Sequence, residues 1–157
     1  MTATISNGVS ASYSPAEDEL GAADPTALLA ESGDLKPLAE RTYTNPVPYA
    51  DGKSRDLYYC YATDEHGILV STSPDMVHWT SHGFCYTEAG RRNFWAPSVI
   101  LINGVFHMYF SNMPAEETDT HTEIMRVAVS EDPLGPFEKK AELFNTFAID
   151  SQVVYGD

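Results

Sequence analysis

The sequence predicts an all-β fold of repeated four-stranded blades, on three observations. From Tyr43 onward, aromatic and β-branched residues come in short alternating runs separated by Gly, Pro, Asn and Asp, the pattern of many short strands. No long stretch of helical period competes with these runs. The runs also recur: "NPVPYADG" begins at Asn45, "APSVILING" at Ala96 and "DSQVVYGD" at Asp150, offsets of 51 and 54 residues. A later phase repeats as well, with Val70, Ser73 and Asp75 answered by Val127, Ser130 and Asp132, each 57 residues on, and Trp79 by Phe137. Four strands in about 50 residues is the size of one β-propeller blade. A blade buries its faces only against neighbouring blades. The chain is thus expected to hold two complete blades, about 43–90 and 93–146, and the first strand of a third over 147–157 within a partial propeller domain of 41–157.

Taken in order, residues 1–40 are rich in Ala, Ser, Asp and Glu and carry one aromatic, Tyr13, so they form an acidic, weakly structured segment. A short helix is expected within it, capped by Asp24, with Pro25 at its first position, "TALLAES" as its body and Gly33 as its stop. The strand candidates then run Leu57 to Thr63, Ile68 to Ser73, Gly83 to Thr87, Ser98 to Ile102, Val105 to Ser111, Glu123 to Ser130 and Ala141 to Asn145. "ADGK" around Asp51 reads most simply as a hairpin turn.

The composition narrows the partners. With 157 residues, 43% of them hydrophobic and 20% charged, the chain can bury a sizeable core. Its net charge of -14 opposes nucleic acid and anionic membrane surfaces and leaves neutral ligands, sugars among them, compatible. Cys60 and Cys85 lie in no metal-ligand pattern and read as buried thiols. The five histidines lack zinc spacing and "MPAEETDTHTE" (Met113 to Glu123) lacks the calcium-loop pattern, so it reads as a solvated loop and no metal or cofactor is expected. His107 alternates with Phe106 and Met108 as an ordinary strand position. The N-terminus has neither a basic n-region nor an apolar h-region, and no apolar run reaches the ~20 residues that span a bilayer. A soluble, cytoplasmic protein is the expectation.

"FWAPSVILINGVFHMYFS" (Phe94 to Ser111), "YYCYATDEHGILVSTSPDMVHW" (Tyr58 to Trp79) and "IDSQVVYGD" (Ile149 to Asp157) together resemble the glycoside hydrolases of family 43. That resemblance implies a five-bladed propeller and inverting hydrolysis of arabinose- or xylose-containing saccharides. It implies three carboxylates: an Asp in the first blade as general base, an Asp in the third that tunes and orients the acid, and a Glu in a later blade as the acid. An inverting hydrolase keeps its acid and base about 6.5–9.5 Å apart so that water fits beside the sugar. Asp150 matches the tuning position. Asn45 occupies the base position, and an amide accepts no proton at neutral pH; Asp51, six residues on, is the candidate for a displaced carboxylate. The acid's position falls beyond Asp157.

The blade opening supplies further candidates. Trp95 admits two readings, a sugar-stacking indole or a core aromatic. Asn93 and Phe94 are candidates for a donor and a wall of the same pocket. Ser98 stands where relatives often carry Asp. Arg91 and Arg92 read either as a solvated loop pair or as anchors for a carboxylate. A carbohydrate-binding propeller without hydrolysis is the alternative that Asn45 raises. Blade edges left open by an incomplete ring would favour self-association or a complementing chain.

Overall fold

The computed structural model describes residues 23–30 and 57–154. Among these residues eight strands form two four-stranded antiparallel sheets. The first contains β1 (Ala23–Ala30), β2 (Leu57–Thr63), β3 (Ile68–Ser73) and β4 (Thr80–Tyr86) in sequence order. The second contains β5 (Arg91–Ile102), β6 (Val105–Pro114), β7 (Ile124–Ser130) and β8 (Glu138–Glu142), also in order. Two meanders of this kind are two blades; the second falls close to its expected range of 93–146, whereas the first opens at Ala23 rather than near residue 43. The expectations at Asn45 and Asp51, and the last three residues of "DSQVVYGD", lie outside the described residues.

The inner strand of the first blade departs from expectation. Residues expected to start a helix at Asp24 instead form β1, which pairs antiparallel with β2 from Thr26 opposite Tyr61 to Ala30 opposite Leu57. Helix preference among ordinary residues is worth only tenths of a kcal/mol each. A ladder along β2, with Ala30 fully buried and Leu28 packed on the core, outweighs it. Pro25 is tolerated because the register shifts between Ala23 and Thr26, on an edge strand where its missing N–H breaks no ladder.

The repeat at 57 residues has a local physical cause. Asp75 N donates to Ser73 Oγ at 3.2 Å, and Asp132 N donates to Ser130 Oγ at 3.0 Å. Each Asp then accepts a backbone amide of the following turn, from His78 at 2.8 Å in blade one and from Leu134 at 2.9 Å in blade two. Backbone and ring hydrogen bonds from His78, with another from Val77, hold the Asp75 carboxyl well below its ordinary value. Ser-x-Asp therefore caps the third strand of each blade.

The blades are joined by a shared aromatic core. Tyr86 of β4 packs against Phe94 of β5 at 5.9 Å and Phe110 of β6 at 4.9 Å, and Tyr61 meets Phe137 edge-on at 6.0 Å. The wholly buried Tyr61 hydroxyl donates to Pro133 O at 2.7 Å, which answers the need of a buried phenol for a partner. Phe137 N donates to Cys85 O at 2.9 Å. Both cysteines are buried free thiols, and burial pushes Cys60 up to about 12.

Two outer segments differ from expectation. β8 is Glu138–Glu142, not Ala141 to Asn145. As an outer strand it is almost wholly exposed, so no apolar alternation marks it. Residues 147–154, expected as the first strand of a third blade, form no strand. A strand needs a ladder, and here Ala148 N donates singly to Glu123 O at 3.2 Å and Val153 N to Ser98 Oγ at 3.1 Å.

Candidate active site

β5 opens blade two and is bent on purpose by its sequence. Its register with β6 shifts between Arg92 and Trp95 and again between Trp95 and Ser98. Asn93 and Ala96 within those shifts are left-handed, at φ 55° and 44°. Such bulges re-aim side chains beside functional sites, and a left-handed alanine costs roughly 1 kcal/mol. Ala96 N is fixed in this turn by Thr63 Oγ1 of blade one at 2.9 Å.

Beside this bend lies an open cleft of about 350 Å³. Thr26 of β1, Pro97 and Ser98 of β5, and Asp150, Ser151 and Gln152 line it, so three successive blade openings converge there. Among the described residues Asp150 is its single ionisable side chain; it is exposed and left-handed, at φ 57°. The Ser151 hydroxyl is buried with no hydrogen-bond partner among the described residues, which leaves it free to serve a ligand. Among the described residues no group of three or more His, Cys, Asp or Glu side chains could hold a metal ion.

The other candidates are distributed differently. Phe94 does not form a pocket wall: it is 0% exposed and stacks 6.2 Å from Phe110. Alternation along β5 turns it into the core between the blades. Trp95 is half-buried and does not line the cleft. Asn93 Nδ2 is engaged with Met113 Sδ at 3.6 Å and its N donates to Glu65 O at 2.9 Å, so it serves the blade contact rather than the cleft. Arg91 and Arg92 are strand residues, not a loop pair. Arg92 bonds Glu65 of the β2–β3 hairpin at 3.0 Å and so ties one blade to the other.

Glu123 is the residue that sequence reasoning missed. Expected both to end a solvated loop and to begin a strand, it is wholly buried just before β7, and among the described residues neither carboxylate oxygen has a well-formed hydrogen bond. Burial raises its carboxyl to about 7, against the opposing influence of nearby Ser111, Asn93 and Arg92. It does not line the cleft. Its carbonyl, the acceptor for Ala148 N, holds the segment that carries Asp150. No pattern in "DTHTE" distinguishes its last residue from the exposed acids before it.

The connection between β4 and β5 carries a second carboxylate, Glu88. Burial pushes it up, but hydrogen bonds from Lys139 at 2.8 Å, Tyr86 at 2.9 Å and Asn112 at 3.4 Å outweigh that and hold it below its ordinary value. Buried Arg126 is paired with Glu142 of β8.

Residues 35–157, well over half of the chain, match the family model of glycosyl hydrolases family 43. The chain belongs to glycosyl hydrolase family 43. The family 43 chain is 29% identical over 91 residues to a probable arabinan endo-1,5-alpha-L-arabinosidase C of Aspergillus clavatus, 46% of this chain and 28% of that one. Its fold is similar to a solved alpha-L-arabinanase of Cellvibrio cellulosa complexed with arabinohexaose. That match has a TM-score of 0.57 and 18% identity, over 89% of this chain and 42% of that one. The GH43 BlXynB protein of Bacillus licheniformis matches with a TM-score of 0.50 and 23% identity, over 61% of this chain and 22% of that one. The family 43 chain thus spans less than half the length of each of these relatives.

Proposed function

We propose that this family 43 chain supplies the first two blades and the Asp150 segment of an inverting glycosidase that acts on arabinose- or xylose-containing saccharides. The observation that carries this reading is the Asp150 carboxylate, exposed in a cleft where three blade openings meet. The cleft otherwise offers two hydroxyls and an amide, from Thr26, Ser151 and Gln152, the groups that recognise a neutral sugar. In this reading Asp150 touches no bond that breaks. Its negative charge raises the pKa of a neighbouring carboxylic acid by like-charge repulsion and keeps that acid protonated for the leaving oxygen. The arabinan-directed names of the relatives support arabinose linkages first.

The test is hydrolysis of aryl arabinofuranoside and xyloside by a complete propeller containing this chain. Asp150→Asn is expected to lower kcat by about 10²-fold or more, in the range of general acid–base contributions. Full activity in that variant, or none in a folded complete enzyme, would sink the reading.

A second reading, sugar binding without hydrolysis, takes Asn45, whose amide is no base, as the base position; against it, β1 opens the first blade with Asp24 directly before Pro25. Asn45→Asp separates the two. A large gain in activity supports a lost base, and no gain in an already active enzyme assigns the base to another residue, Asp24 at the opening of β1 or Asp51. Assembly with a second chain is the third reading. It is motivated by Phe144 at 53% and Val154 at 74% exposure, and light scattering that finds only monomer rejects it.

A further inference from the structure

The Asp150 segment has no ladder to hold it, yet Asp150 adopts a left-handed backbone at φ 57°. A strained residue persists only where its surroundings fix it on both sides. Two hydrogen bonds do so. Before Asp150, Ala148 N donates to the carbonyl of wholly buried Glu123 at 3.2 Å. After it, Val153 N donates to the hydroxyl of Ser98 at 3.1 Å. The first clamp is backbone to backbone and depends on no particular side chain. The second depends on one oxygen atom.

We propose that Ser98 is a positioning residue for Asp150: its buried Oγ accepts the Val153 amide and thereby fixes the turn that presents the Asp150 carboxylate to the cleft. Ser98 suits this task by its place. It directly follows Pro97 and the second register shift of β5, is 8% exposed, and lines the same cleft as Asp150. A hydroxyl accepts one amide while leaving a proton to donate. Alanine at position 98 keeps the backbone and removes the acceptor, so the Val153 amide would lose its side-chain partner and turn to water. The segment would then sample other conformations, and the carboxylate would spend less time in its working position.

This inference rests on the reading of Asp150 as the residue that tunes the acid. Two measurements test it. In the 157-residue chain, amide exchange of Val153 is expected to accelerate about tenfold in Ser98→Ala and to stay near the parent rate in Ser98→Thr, while amides of β6 are unchanged. Equal Val153 exchange in all three chains overturns the proposal. In a complete propeller, Ser98→Ala is expected to lower kcat about tenfold, to leave KM within about twofold, and to move the alkaline limb of the pH profile to lower pH, with Ser98→Thr restoring both. A parental pH profile in Ser98→Ala beside an inactive Asp150→Asn overturns the positioning role and leaves the Asp150 reading intact. Full activity in Asp150→Asn sinks that reading and this proposal together. Should Ser98→Ala fail to fold, an unchanged pH profile in Ser98→Cys, whose thiol is a far weaker acceptor, overturns it equally.

Discussion

Glu123 shows how one residue's environment sets a property that its identity does not. Its carboxyl is wholly buried and its pKa stands at about 7, above an ordinary value of 4.5. Between those two values the folded state holds more protons than the unfolded state, so stability falls as pH rises through the window and levels off above it. Glu123→Gln removes the titrating group. The variant is expected to be more stable than the parent at pH 8, by about 3 kcal/mol, and nearly equal to it at pH 4.5. Urea unfolding at the two pH values checks this; an unchanged difference between parent and variant across that range would refute the assignment. Asp150, by contrast, was legible in the sequence because it opens a repeat unit. Phe94 was misread because its neighbour Trp95 and the bulges around it hide which way β5 alternates.

At the scale of elements, the strands that the sequence marked best are those buried on at least one face. β2 and β3 fall on the expected residues, because burial selects β-branched and aromatic residues at period two. β8 was displaced because its residues face water and carry no such signal. The turn between β7 and β8 depends on Gly135, at φ 83°, where an added Cβ would lie 2.6 Å from Cys85 O of the other blade. Gly104, at φ 78°, would meet nothing within 4 Å. Gly104→Ala is expected to cost about 1 kcal/mol, the backbone strain alone, whereas Gly135→Ala adds a clash and costs about 2–4 kcal/mol. Chemical denaturation of both variants reads the difference, and equal losses would show that the blade contact at Gly135 yields freely.

The whole molecule depends on the seam between blades. Phe94 lies at its centre with Tyr86 and Phe110, while Tyr61, Phe137 and the Arg92–Glu65 pair extend it. Phe94→Ala is expected to cost about 3–5 kcal/mol, a large share of the 5–15 kcal/mol typical of a domain. Trp95→Ala, half exposed, is expected to cost less than half as much. Thermal unfolding of both variants tests the order, and a larger loss at Trp95 would place the seam elsewhere. The sequence by itself determined the all-β class, the repeat of blades, the Ser-x-Asp turns and the position of Asp150, since all of these are written in local periodicity and spacing. Tertiary structure alone decided that Ala23–Ala30 is a strand, that Phe94 faces the core and Glu123 is buried, and that Ser98 holds the segment of Asp150. Each of those depends on which distant backbone arrives beside the residue, and single-residue preferences of tenths of a kcal/mol are too small to resist that pairing.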